Sequence, residues 1–430
     1  MDMKVYKHLE ENIYTEKLEN GLQVKLIPKK EYKKIYAVLF VDFGSVDQMF
    51  MPRGESEYKS FPYGIAHFLE HKLFETEDGD VSNIFSSQGA SVNAYTSNTK
   101  TAYMCSFTSK LQQNIDVLLN FVQTPHFTHH SVEDEKSIIT QEIQMYKDDP
   151  DWNLSLGLIE NLYPKHPLRI DVAGTVESIQ SIDVEMLMTN YDTFYHPSNV
   201  QLILIGNLNP NEAIKYIKEN QEPKIFLPPV VIDRSFPDEA ETDILKYRET
   251  RFPVNIPKVL VGVKGDKYNL EEKAALRHII KMEILLDLLF GDTSSTYLSL
   301  YNDELIDDSF SFDYIFERSF DYVSIGGDSK FPEKLASSIK HVLLNDQRSQ
   351  DMTIEHFSLI KKKLTGQYIQ ELNSLEAIAH QFVELPFEEI TIFDSLSLLE
   401  SITFEEVKNI ARDYFREEVI SVFSVKPRKS

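Results

Sequence analysis

His67-Phe68-Leu69-Glu70-His71 is the stretch on which the reading of this chain turns. On a helix, positions four apart share a face, so both imidazoles reach one cation while Glu70 stands beside them on the adjoining turn. A catalytic zinc takes three protein ligands and keeps one position open, so a third ligand has to come from elsewhere in the chain.

The segment 131–148 supplies candidates. Val132, Ile138, Ile139, Ile143 and Tyr146 recur there at three- and four-residue steps, which predicts an amphipathic helix capped by Ser131. Glu135 and Glu142, seven apart, fall on that apolar stripe, so both carboxylates are expected to point to the interior. Glu133 and Asp134 sit near the helix start, where negative charge is favoured in solvent. A buried carboxylate is costly unless it is paired or bound to metal. The glutamate pair therefore calls for a partner, and the His67/His71 helix supplies one through a shared cation. The order His-x-x-Glu-His is that of an inverted zinc-protease motif.

With 430 residues, 42% of them hydrophobic, the chain is long enough for two or more domains with substantial cores. The net charge of -24 argues against nucleic acid or an anionic membrane as partner, because phosphate binding needs clustered Lys and Arg. It favours solubility and suits basic peptides. Residues 1–20 are charged throughout, so no secretory signal is expected, and no run nears the roughly eighteen apolar residues that span a bilayer. Cys105 is the only cysteine, which excludes an internal disulfide and fits a reducing, cytoplasmic location. It lies in the alternating stretch 102–107, a strand pattern rather than a nucleophile's setting.

Period-two and apolar runs predict strands at 22–27, 35–43, 91–96, 101–108 and 200–206, with helices at 64–74, 80–87, 111–123, 131–148, 151–161 and 184–191. Prolines 223, 228, 229 and 237 among charged residues mark a linker over 222–242, separating domains at 1–221 and 243–430. The second half predicts strands at 243–249, 258–264, 309–314, 322–327 and 419–425, and helices at 271–290, 332–344, 353–372 and 404–415. The similar order in both halves predicts a duplicated α+β unit, each copy a mostly antiparallel sheet flanked by helices. Only the first copy carries the histidine motif. Its counterpart, Ala274-Ala275-Leu276-Arg277-His278-Ile279-Ile280, has a single histidine of structural character, so one chain is expected to hold one zinc.

The chain resembles the pitrilysin/insulinase (M16) metallopeptidases over nearly its whole length, in their short bacterial two-domain form related to mitochondrial processing peptidase. The marks are His67-Phe68-Leu69-Glu70-His71, Asn93-Ala94-Tyr95-Thr96, Glu135 and Glu142 at seven-residue spacing, and Tyr195-His196-Pro197-Ser198-Asn199. Gly64 before the motif and Lys72-Leu73-Phe74-Glu75 after it look most like the YmfH-type subgroup. The resemblance implies a LuxS/MPP-like metallohydrolase fold and zinc as cofactor. It assigns His67, His71 and Glu142 as ligands, Glu70 as general base and Glu135 as support behind a ligand. It also implies that Asn93, Ala94, Tyr95 and Thr96 form an exposed edge strand beside which a peptide substrate is added.

Members of that family that complete the site carry an Arg and a Tyr in a pattern like R-x-x-x-x-L-x-Y. The corresponding stretch here is Leu300-Tyr301-Asn302-Asp303-Glu304-Leu305-Ile306-Asp307-Asp308, where the pair is replaced. Tyr314 and Arg318 lie near, but neither order nor spacing fits. The expected partner is therefore a related subunit lacking the zinc motif and carrying the Arg/Tyr pair. His126, His129 and His130 are read as surface histidines of a polar loop, and His166 either borders the cleft or packs a loop.

Overall fold

Ile35-Tyr36-Ala37-Val38-Leu39-Phe40-Val41 and the apolar run ending at Gly206 read as strands covered on both faces, and they form the centre of the first sheet. A computed structural model describes residues 1–77, 79–345, 350–385 and 389–428. Along the first half run β1 Asp2–Tyr6, β2 Glu11–Lys17, β3 Gln23–Pro28, β4 Ile35–Val41 and the short ribbon β5 Met49–Phe50 with β6 Lys59–Ser60. Then come α1 Ile65–Leu73, the ribbon β7 Glu75–Thr76 with β8 Gly79–Asp80, α2 Val81–Ser87, β9 Ser91–Thr96 and β10 Thr101–Phe107. Helices α3 Leu111–Gln123, α4 His129–Lys147, α5 Pro150–Leu162, α6 Val176–Gln180 and α7 Val184–Phe194 lead to β11 Val200–Gly206 and α8 Pro210–Gln221. The second half contributes β12 Tyr247–Phe252, β13 Lys258–Lys264, α9 Glu272–Phe290, α10 Ser295–Asn302, β14 Ser311–Glu317 and β15 Phe320–Asp328. It ends with α11 Pro332–Leu344, α12 Ile354–Glu371, α13 Leu375–Glu384, α14 Ile392–Ser401, α15 Phe404–Tyr414 and β16 Ile420–Pro427.

Two compact units result. The first comprises Met1–Gln144, Ile170–Phe236 and Leu372–Pro386; the second comprises Met145–Arg169, Pro237–Glu371 and Phe387–Ser430. These differ from the division at 222–242 by an exchange of segments. Helix α5 precedes the linker yet packs on β13 and β16 in the second unit, and α13 follows it yet packs on β4 and β11 in the first.

The first unit holds a sheet in the order β1-β2-β3-β11-β4-β10-β9, the second a sheet in the order β12-β16-β13-β15-β14. In the first sheet β3 and β11 run parallel, in the second β12 and β16, and the remaining neighbours are antiparallel. Laid end to end, β3-β11-β4-β10-β9 and β12-β16-β13-β15-β14 follow one plan, so the expected duplicated α+β unit is present. The hairpin β1–β2 is an addition to the first copy.

The 131–148 expectation needs two corrections. The helix begins at His129, and Thr128 and Ser131 exchange side-chain to backbone hydrogen bonds of 3.1 and 3.4 Å, so Thr128 is its cap. Ile138 is 54% exposed; the covered stripe is Val132, Lys136, Ile139 and Ile143. The strand expected at 243–249 lies instead at Tyr247–Phe252. Cys105 is buried in β10, as its alternating stretch predicts.

Candidate metal centre

Helix α1 starts at Gly64, whose φ of 83° and close approach to the Ala173 carbonyl leave no room for a side chain: a Cβ there would stand 2.4 Å from that oxygen. Of its nine residues only His71 is not buried. The helix packs against β9, β10 and α7, which fixes the direction in which its histidines project.

The His67 and His71 rings lie 4.5 Å apart, centroid to centroid. Glu142 faces both: its Oε1 is 3.7 Å from His67 Nε2 and its Oε2 is 3.6 Å from His71 Nε2. Ligand atoms of these three residues lie within 4.8 Å of one another, the one such group among the described residues. The separations exceed a hydrogen bond and approach the roughly 3.3–3.6 Å between ligands of a tetrahedral zinc with bonds of about 2.0–2.2 Å. The donor set fits zinc. Glu135 takes the other side of His71, with Oε1 3.0 Å from Nδ1. The two glutamates that spacing alone leaves equivalent thus have different partners, and both are half-buried rather than interior.

Burial holds the His67 imidazole down to about 4, with the neighbouring His71 adding to the effect, so His67 is neutral and has a lone pair to offer. Its Nδ1 is buried without a hydrogen-bond partner among the described residues. Burial would also lower His71, but the Glu135 bond and the surrounding carboxylates outweigh it and raise the ring above its usual value. Glu70 is pushed up by burial against the opposing hydrogen bond from Thr96, whose hydroxyl donates to Oε2 at 2.6 Å.

Strand β9 is an edge of its sheet, paired on one side to β10. Residues 93–96 divide between its faces. Ala94 and Thr96 point to the α1 side, and Thr96 joins Glu70. Asn93 and Tyr95 point to the other, where Tyr95 stacks on His380 of α13 with centroids 5.8 Å apart. His380 is a neighbour of this strand that sequence reading did not anticipate.

Lys72 also escaped notice. It is wholly buried, with Nζ 3.3 Å from the Ser131 carbonyl, 3.9 Å from Glu135 Oε2 and in contact with the Glu75 carboxylate. The available signal was a lysine in a helix with no solvent face.

Residues 195–199 build the entrance to β11. The Tyr195 and Tyr103 hydroxyls lie 2.8 Å apart, His196 Nδ1 accepts from the Ser198 amide, and Asn199 donates to the carbonyls of Asp42 and Phe194. His129 and His130 are exposed at the start of α4, and His130 lies 3.1 Å from Asp134. His166 packs a buried loop, accepting from the Leu168 amide at Nδ1. In the 300–308 stretch, Leu300, Leu305 and Ile306 are buried and Tyr301 is exposed, stacked on Tyr297. The Tyr314 hydroxyl donates to buried Asp321.

The family model described as "Insulinase (Peptidase family M16)" matches residues 29–176, the part containing α1 and α4, and "Peptidase M16 inactive domain" matches 181–364. The "uncharacterized zinc protease YmfH" of Bacillus subtilis is 45% identical over 423 residues, covering 98% of each chain. An Arabidopsis thaliana chain named "Probable mitochondrial-processing peptidase subunit beta, mitochondrial" is 27% identical over 207 residues, 47% of this chain and 37% of that one. The crystal structure of an M16-like chain from Alicyclobacillus acidocaldarius superposes with a TM-score of 0.92 at 37% identity, covering 97% of this chain and 99% of the other. With the peptidase model matched across the part that holds both the histidine helix and the glutamate helix, and a relative 45% identical along 98% of both chains, the chain belongs to peptidase family M16.

Proposed function

We propose that this chain is a zinc-dependent endopeptidase acting on short or unfolded peptides, with His67, His71 and Glu142 as ligands of one zinc per chain. The observation that carries the proposal is the convergence of these three side chains beside Glu70. When bound, zinc supplies an acidified water and polarises the scissile carbonyl. Thr96 occupies Glu70 Oε2, which leaves Oε1 to take the proton of the attacking water and deliver it to the leaving amine. Glu135 accepts from His71 Nδ1, fixing the tautomer whose Nε2 lone pair faces Glu142. A substrate adds in extended form beside β9, the terminal strand of its sheet, through main-chain hydrogen bonds, so conformation is selected more strongly than sequence.

The altered 300–308 stretch supports a further step: this chain is the zinc-bearing half of a heterodimer whose related partner carries the Arg/Tyr pair. The second reading, a noncatalytic peptide-binding subunit, draws on the inactive-domain model that matches 181–364. Metal content separates the two. The endopeptidase reading expects about one zinc per chain after dialysis, lost in His67→Ala; a folded wild-type chain without zinc supports the scaffold.

A further inference from the structure

We infer that Lys72 is a positioning residue of the metal centre: its ammonium fixes Glu135, and Glu135 in turn fixes the His71 ring. The inference rests on the zinc reading above. A fully buried ammonium is costly unless compensated, and the groups around Lys72 are few enough to identify its compensation. Glu75 contacts it from the surface, where water already solvates much of that carboxylate. The Ser131 carbonyl, 3.3 Å away, ties it to the first turn of α4. One turn further on, Glu135 divides its oxygens, Oε1 at 3.0 Å from His71 Nδ1 and Oε2 at 3.9 Å from Lys72 Nζ. A continuous path therefore runs from Lys72 through Glu135 to His71, joining neighbours on α1 by way of α4.

The charges agree with this role. Glu70, Glu135 and Glu142 bring three carboxylates around the site, which a divalent cation alone leaves in excess by one. Lys72, shared with the half-exposed Glu75, places an ammonium 3.9 Å from Glu135 and so reduces that excess without occupying the face that His67, His71 and Glu142 turn towards one another. Outer partners of metal-bound histidines set ring orientation and ligand basicity, and their loss costs about 10–100-fold in metal affinity. Lys72 acts one contact further out, so the effect expected of it lies at the lower end.

The competing account is that Lys72 only ties α1 to α4 through Ser131. The two accounts differ in whether Lys72 acts through Glu135, which a double-mutant cycle on zinc affinity measures. Zinc dissociation constants of the full chain, Lys72→Met, Glu135→Gln and the double variant are to be determined by competition with a fluorescent chelator, with thermal midpoints of the metal-free forms recorded alongside. Lys72→Met should weaken zinc about 10-fold and Glu135→Gln about 10–100-fold, while the double variant stays within about twofold of Glu135→Gln alone. An equal loss on removing Lys72 in both backgrounds, or no loss in the otherwise native chain, overturns the inference while leaving the zinc site standing. A native chain that binds no zinc overturns both. Should Lys72→Met fail to fold, Lys72→Gln, which keeps a donor for Ser131 without the charge, replaces it under the same expectations.

Discussion

Glu70, buried, and Glu283, half-buried, show how neighbours set the use of a carboxyl drawn away from solvent. Glu70 sits on α1 beside two histidines and a hydroxyl donor. Glu283 sits on α9 and accepts from the Tyr368 hydroxyl, with no cationic partner at hydrogen-bond distance among the described residues. Burial pushes Glu283 up to about 7; the Tyr368 bond opposes this, and the carboxylates of Glu371 and Asp287 add to it. A carboxyl whose folded value lies above its free value of 4.5 binds its proton more tightly in the folded state. Its contribution to stability is therefore complete below about 4.5 and is lost as pH rises through about 7. Glu283→Gln removes that loss, so its thermal midpoint should gain on the native chain's across this window. Parallel curves would show that Glu283 ionises without cost.

At the scale of elements, α5 and α13 carry the exchange between the two units. Gly157 lets α5 approach β16 so closely that an added Cβ would lie 2.3 Å from the Phe423 ring. Gly157→Ala should destabilise the second unit by about 1–3 kcal/mol through overpacking, read as a lower midpoint in thermal or urea unfolding; an unchanged midpoint would mean that Phe423 moves aside freely. The exchange itself could not be read from residue patterns. Periodicity says that a helix has an apolar face, but not which sheet covers it. Local signals did place the helices at 111–123 and 332–344 and the strands at 91–96 and 258–264 where the structure has them. The hairpin β1–β2 is polar and largely uncovered, so no run announced it. The site divides in the same way. The four-residue spacing of His67 and His71 is a property of any helix and was legible. The separate partners of Glu135 and Glu142 depend on the height at which α4 crosses α1, which no spacing within one helix records. Lys72 and His380 act through contacts distant in sequence.

For the whole molecule, the sheet plan occurs twice, but a group of side chains able to hold a metal occurs once among the described residues. The replaced Arg/Tyr stretch at 300–308 leads to the expectation that the isolated chain hydrolyses peptides poorly and that a related partner restores the rate. Full activity from a lone monomer would contradict that assembly without touching the zinc site. The central claim, that Glu70 works beside a zinc held by His67, His71 and Glu142, is tested most directly by Glu70→Gln, with zinc content and the hydrolysis of an unstructured fluorogenic peptide measured on the purified chain together with any chain that copurifies with it. The account predicts unchanged zinc and a rate lower by about 10²–10⁴-fold. Hydrolysis at the native rate with zinc in place would contradict it.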